Sequence, residues 1–205
     1  MRALATLITL AAIGLAAQEN PGGNRMGIGL SGLAPAGTWG DTFDPGFQAG
    51  LQIHFNREGR HLGRLRIDYL QSDTKRPIQI GIWDVWNGST WVPTPQWANA
   101  RMEAYSVAYE WMPHLESHSH SGLFGILGLG GTLWNETRRP VNGSYGGADT
   151  DSDVGLTLSA GAGWRFNPHA TLEVRYVDSD LTTTSGTHHY GSHRAYLTFG
   201  TSLRF

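Results

Sequence analysis

The chain has no cysteine, so a small oxidised scaffold held by disulfides is excluded. Lys75 is the one lysine among 15 basic residues; the others are arginines, which suit fixed, multidentate pairing in a crowded interior. The formal net charge is −2 and no basic cluster appears, so nucleic acid is not an expected partner. Charged residues make up only 16% of the chain, against about 25% in a soluble domain. A surface this poor in charge suits a lipid-facing belt. After residue 17 no segment is long and apolar enough to span a membrane as a helix of about 20 residues.

The chain does carry an export signal. Met1 and Arg2 form a short cationic start, Ala3 to Ala17 is almost wholly apolar, and Gly14 and Ala16, or Leu15 and Ala17, suit a signal-peptidase cut. The expected organisation is a signal peptide over 1–17 and one domain over 18–205. The remaining roughly 190 residues suit a single domain. They are rich in glycine and aromatics, with 28 Gly, 8 Trp, 7 Tyr and 7 Phe in the whole chain.

The last residues are the most informative. Leu197, Phe199, Leu203 and Phe205 alternate with Thr198, Gly200, Ser202 and Arg204, which puts an apolar and a polar face on one strand. Seven further segments read similarly, giving strands over about 26–34, 46–56, 62–72, 99–112, 122–134, 154–166, 169–179 and 193–205, most of a length suited to a tilted crossing. Connections at 57–61, 113–121 and 167–168 are short. Those at 35–45, 73–98, 135–153 and 180–192 are longer. This predicts an all-β fold: an eight-stranded antiparallel up-and-down transmembrane β-barrel with short periplasmic turns and longer extracellular loops. Strand 122–134 is ambiguous, because Phe124, Ile126 and Trp134 compete with Leu127, Leu129 and Leu133 for the outer face.

Strand direction gives a further check. Phe55, Trp111, Trp164, Phe166 and Phe205 fall at periplasmic ends, and Phe47, Tyr69, Tyr105 and Tyr176 toward the other ends, as two aromatic girdles require. A soluble lipocalin-like barrel would turn its apolar face inward. The opposite face here carries Arg64, Arg66, Asp68, Glu110, Arg165, Glu173, Arg175 and Arg204, which cannot face lipid cheaply. These eight residues are expected as an interior polar network that pairs and plugs the barrel, since an unpaired buried charge costs several kcal/mol. A narrow channel lined by the same residues is the alternative.

The signal sequence, the amphipathic strands, the run from Gly29 to Pro35 and the terminal Phe205 together resemble the small OmpA/OmpX-type outer-membrane β-barrel superfamily. The resemblance implies the outer membrane of a Gram-negative-type bacterium. Its implied partners are outer-membrane lipid, lipopolysaccharide and the barrel assembly machinery, which would read Phe205, Leu203 and Phe199 as its signal. No appended peptidoglycan-binding domain is expected. The superfamily includes anchors, adhesins, channels and enzymes, so the fold does not name an activity.

The loops supply the remaining functional residues. Segment 73–98 holds Trp83, Trp86, Trp91 and Trp97 around Asn87 and Gly88, a strong hairpin signal. Strands three and four are expected to continue outside the membrane as a hairpin, with the tryptophans a candidate surface for an extracellular ligand. Asp149, Asp151 and Asp153 read as a solvated acidic loop lacking a calcium-loop pattern. His114, His118 and His120, and His188, His189 and His193, read as surface histidines rather than metal ligands. No metal or cofactor is expected. Catalysis would need a Ser–His–carboxylate set such as Ser192 and His193, or His54 near Glu173, and is not expected. The His-x-Ser-Asn run associated with lipid A deacylase barrels is absent. The expected function is structural or surface-interactive, with a small channel as the alternative and a lipid-modifying enzyme less favoured.

Overall fold

The computed structural model describes residues 25–55, 61–115, 121–141, 148–182 and 194–205. The expected signal peptide, His118, His120, His188, His189, Ser192 and His193 lie outside them. The alternating segments form β1 (Arg25–Ala36), β2 (Gly46–Phe55), β3 (His61–Asp73), β4 (Ile78–Trp86), β5 (Trp91–Pro113), β6 (Gly122–Pro140), β7 (Asp149–Asn167), β8 (Ala170–Thr182) and β9 (Ala195–Arg204). A short helix, α1 (Gly37–Thr42), follows β1.

All the ladders are antiparallel, in the order β3-β2-β1-β9-β8-β7-β6-β5-β4. Two ladders close the sheet. β1 pairs with β9 from Gly27↔Arg204 to Ala36↔Ala195, and β3 pairs with β5 from His61↔Pro113 to Asp73↔Arg101. Eight strands therefore make a closed barrel, and β4 lies outside the closure, paired with β5 alone. Among the described residues no helix is long and apolar enough to cross a membrane; the strands do it. β5, β6 and β7 have 23, 19 and 19 residues, far beyond the 9–11 that a tilted crossing needs, so they project past the bilayer.

The outer wall is apolar where it meets hydrocarbon, with Leu30, Ile67, Val107, Leu127, Leu129, Leu158, Val174 and Phe199 all exposed. A soluble barrel with its apolar face inward is thereby excluded. The girdle at the extracellular side is continuous across β2, β3 and β5: Phe47 and Tyr69 have ring centroids 6.0 Å apart, and Tyr69 and Tyr105 5.3 Å. Tyr69 donates its hydroxyl to Glu103 at 3.0 Å, marking the change from lipid to water.

The ambiguous strand resolves cleanly. Phe124, Ile126, Thr132 and Trp134 of β6 are buried in the lumen, and Leu127, Leu129 and Leu133 face lipid. Periodicity could not separate them because the inward face of this strand is itself apolar at both ends, with glycines and Thr132 between. Toward the periplasm Leu62, Met112, Phe124 and Ile126 pack together. At the extracellular mouth Leu33, Leu70, Met102, Trp134, Val177 and Tyr196 receive Trp39 and Phe43 from the α1 segment. The Trp39 ring centroid lies 5.4 Å from that of Trp134, 5.7 Å from Tyr196 and 5.8 Å from Phe43. Lys75 donates to the Gly40 carbonyl at 2.5 Å, tying this lid to the start of the next loop. Helix α1 was not foreseen; six residues with no side-chain cap carry no periodic signal.

Trp39 is 3% exposed, so Trp39→Ala should remove about 3–5 kcal/mol of stability, seen as a lower urea midpoint for the refolded barrel, with its folded gel mobility retained. A midpoint unchanged from the parent would show that the lid does not contribute to the fold.

Candidate functional site

The middle of the lumen is a charge cluster built by β3, β5 and β8, with polar partners from β2 and β9. Arg64 of β3 donates Nε to Glu110 Oε2 at 2.6 Å, and its two Nη groups clasp Glu173 of β8 at 2.6 and 2.8 Å. Its Nη1 also donates to Gln52 of β2 at 3.1 Å. Arg66 forks onto Asp68 at 3.0 and 2.8 Å, and lies 3.8 Å from Glu110 and 3.5 Å from Glu173. Arg175 of β8 donates to Glu110 at 3.0 Å and to Gln48 at 3.3 Å. Thr171 and Ser202 donate to the remaining side of Glu173 at 3.0 and 3.3 Å. These groups are essentially inaccessible to solvent. Paired forks of this kind are the arrangement in which buried guanidinium and carboxylate groups compensate one another.

Small residues on β6 and β7 make the room. A methyl group at Gly128 would stand 3.0 Å from Glu110 Cγ, and one at Gly161 would stand 2.8 Å from Arg175 Cγ. Gln48 and Gln52 also belong to the cluster, although the sequence did not single them out. Their alternation with His54 was the available signal.

Arg165 and Arg204 are buried on the same inner face, and among the described residues neither is in an ion pair, unlike the other arginines of the expected network. The carboxylates of Asp68, Glu110 and Glu173 are already taken by Arg64, Arg66 and Arg175. Arg165 instead lies over the Phe124 ring, 5.9 Å from its centroid. His54 bonds Gln52 at 3.2 Å rather than Glu173, so it has no carboxylate to orient it as a base. His114, in the periplasmic turn, stacks on Phe124 at 5.5 Å. Burial, together with the charge of Arg165, pushes its imidazole down to about 4, so it is neutral at pH 7.

Asp149, Asp151 and Asp153 lie on β7 rather than in a loop, and Asp153 accepts from Arg194 at 3.0 Å. The alternation of β6 and β7 simply continues above the membrane. Among the described residues no group of three or more His, Asp or Glu is set to hold a metal. On the outer wall a cleft of about 380 Å³ is lined in part by Asp73, Asn99, Arg101, Thr137 and Arg139, with Arg101 paired to Asp73 at 2.8 Å.

The extracellular hairpin is β4 with the first third of β5. Its turn is Asn87–Gly88: the Asn87 side chain accepts from the Ser89 and Thr90 amides at 3.0 and 2.9 Å, and Gly88 has φ 100°, a conformation other residues rarely adopt. The third barrel strand does not run on into it, however. β3 ends at Asp73, and Pro77, with no N–H to donate, stands in the break before β4. The register pairs Trp86 with Trp91 and Ile82 with Pro95, so alternation along β5 puts Trp86, Trp91 and Trp97 on one face. That face continues the barrel's outer wall. Trp83 is on the other face, so the four tryptophans do not form one surface. Trp86 and Trp91 rings are 5.6 Å apart, yet both stay more than half exposed.

In β9, Phe199 and Leu203 face outward, and the Phe205 amide donates to the Met26 carbonyl at 2.9 Å, extending the closing ladder to the last residue.

The comparison with curated proteins finds no match. Solved structures of similar shape include Ail, the attachment invasion locus protein of Yersinia pestis, at 15% identity over 89% of this chain and 97% of that one, with a TM-score of 0.45. The N-terminal β-barrel domain of Pseudomonas aeruginosa OprF matches at 9% identity over 88% and 97%, TM-score 0.47. Neisserial surface protein A matches at 13% identity over 91% and 98%, TM-score 0.48. A family model described as the outer membrane protein beta-barrel domain matches residues 3–205. With a closed eight-stranded sheet, a lipid-facing belt and a match over nearly its whole length, the chain belongs to the outer membrane protein beta-barrel domain family and is a protein of the Gram-negative outer membrane.

Proposed function

We propose that this protein is a non-conducting, non-enzymatic barrel that works through its extracellular surface, with the β4–β5 hairpin as its contact element. The observation that carries the reading is the face formed by Trp86, Trp91 and Trp97, with Ile82 beside them, held well clear of the barrel mouth. Exposed aromatics on a rigid hairpin present large apolar area at low entropic cost, the usual property of binding hot spots. The interior favours the same reading: Arg64, Arg66, Asp68, Glu110, Glu173 and Arg175 are paired across the lumen, and Trp39 stands in its mouth. Outer-membrane lipid and lipopolysaccharide surround the wall. Phe199, Leu203 and Phe205 serve the assembly machinery as the recognition strand, and residues 1–17 serve as the export signal.

Replacing 79–96 with a short turn should leave a heat-modifiable barrel in the outer membrane. It should also abolish attachment of expressing bacteria to immobilised glycans and matrix proteins that the parent strain binds. Attachment that survives the deletion would sink the hairpin's role. Single-channel recording of the refolded protein in a planar bilayer should be silent; discrete, reproducible openings would make the protein a small channel instead. Glu173→Gln removes the charge clasped by Arg64 and should cost about 3–5 kcal/mol in urea unfolding, because it leaves a buried guanidinium undercompensated. Glu103→Gln on the outer wall is the control and should change the midpoint by about 1 kcal/mol or less.

A further inference from the structure

Among the described residues the lumen's buried charges do not balance. Five guanidinium groups, from Arg64, Arg66, Arg165, Arg175 and Arg204, share it with the carboxylates of Asp68, Glu110 and Glu173. The other buried carboxylate, Glu136, is at the extracellular end and accepts from Arg138 at 2.6 Å. The surplus is localised. Arg165 is next to last but one in β7 and Arg204 is the last residue of β9, so both stand in the periplasmic half.

The same region holds most of the unmet hydrogen-bonding capacity. Nine buried side-chain polar atoms have no hydrogen-bond partner among the described residues, and seven of them belong to Gln52, His54, His114, Arg165 and Arg204. For both arginines the atoms are Nε and Nη2, the edge of the guanidinium that grips a carboxylate or phosphate with two parallel bonds. The Phe124 ring, 5.9 Å from Arg165 Cζ, accepts no hydrogen bond from this edge. Arg165 and Arg204 lie within electrostatic reach of each other and of Arg64 and Arg25, with Glu173 the opposing charge. Gly27, paired with Arg204 in the closing ladder, adds no side chain there. Buried donors and buried charge without partners are costly, and proteins retain them where something else completes them.

We infer that the periplasmic half of the lumen is an oxyanion site, in which the Nε and Nη2 edges of Arg165 and Arg204 hold a phosphate group. The group enters from the periplasm, because the extracellular mouth is stoppered by Trp39 and Phe43. Free inorganic phosphate and the headgroup of an anionic phospholipid share this chemistry.

The test uses the full refolded chain in zwitterionic detergent, titrated with sodium phosphate at constant ionic strength made up with sodium chloride. Phosphate should raise the unfolding midpoint in a saturable way, as a ligand of the folded state must. The double variant R165Q/R204Q should lose that response, with apparent affinity about tenfold weaker or worse. R101Q/R139Q, on the outer wall, should keep it. If nanodiscs containing phosphatidylglycerol stabilise the parent over phosphatidylcholine nanodiscs, and the double variant removes that difference, the occupant is a lipid headgroup. Indifference of the parent to both phosphate and phosphatidylglycerol would overturn the inference, as would an equal response from R165Q/R204Q. Should the double variant not fold, nitrogen-15 spectra of the parent decide: phosphate must shift the Arg165 and Arg204 Nε resonances while Arg64 and Arg66 stay in place, and unshifted resonances overturn it.

Discussion

Every backbone N–H and C=O within hydrocarbon has to be bonded by the protein itself, and here the β1–β9 and β3–β5 ladders meet that demand by leaving no sheet edge within the barrel. The rest follows from this closure. Eight strands enclose a lumen just wide enough for side chains to fill, so the inward face of each strand is a packing problem. The strand that completes the circle is also the one that ends the chain. The Phe205 amide, bonded to Met26, adds its hydrogen bond to the seam that seals the barrel.

Within that narrow space the inward residues have to be polar enough to leave the lipid side apolar, yet satisfied enough to be buried. Arg64 solves the problem at the centre: a single guanidinium spreads its donors over Glu110, Glu173 and Gln52 and so joins β3, β5, β8 and β2 across the lumen. A lysine there would offer a point charge and no fork. Glycines at 128 and 161 are the other half of the solution, because a methyl group at either position would crowd the side chains it faces. Once three arginines have engaged the three carboxylates, nothing in the central layer remains to neutralise Arg165 and Arg204. Among the described residues neither has a carboxylate of its own.

The eight barrel strands and the closed all-β architecture were legible from period-two alternation, glycine-rich connections and the terminal aromatic strand. So was the inward placement of Arg64, Arg66, Asp68, Glu110, Glu173 and Arg175. The pairing partners were not legible, since alternation states which face a side chain takes and not which carboxylate across the lumen it meets. β6 defeated the pattern because Phe124 and Trp134 are apolar and inward, capping the lumen at opposite ends, so both faces of that strand are apolar where periodicity needs a contrast. The hairpin was visible in Asn87–Gly88, but the split of its tryptophans between two faces came only with the register of β4 against β5. Strand ends were read too short at β5, β6 and β7, where polar residues such as Asn135, Asp149 and Asp153 look like loop yet continue the ladders in water.

The three layers of the lumen give the protein two unlike ends. At the extracellular mouth the Trp39 lid is aromatic and dry, and beyond it the hairpin turns Trp86 and Trp91 outward, so anything met from outside meets a surface and not an opening. At the periplasmic end the apolar cluster of Leu62, Met112, Phe124 and Ile126 shares the lumen with Arg165, Arg204 and His54, each with a buried polar atom that no described residue bonds. The central cluster separates the two. Arg64, Glu110, Glu173 and Arg175 lie between the two, and their forks admit few alternative geometries, so the middle of the lumen is its most constrained layer.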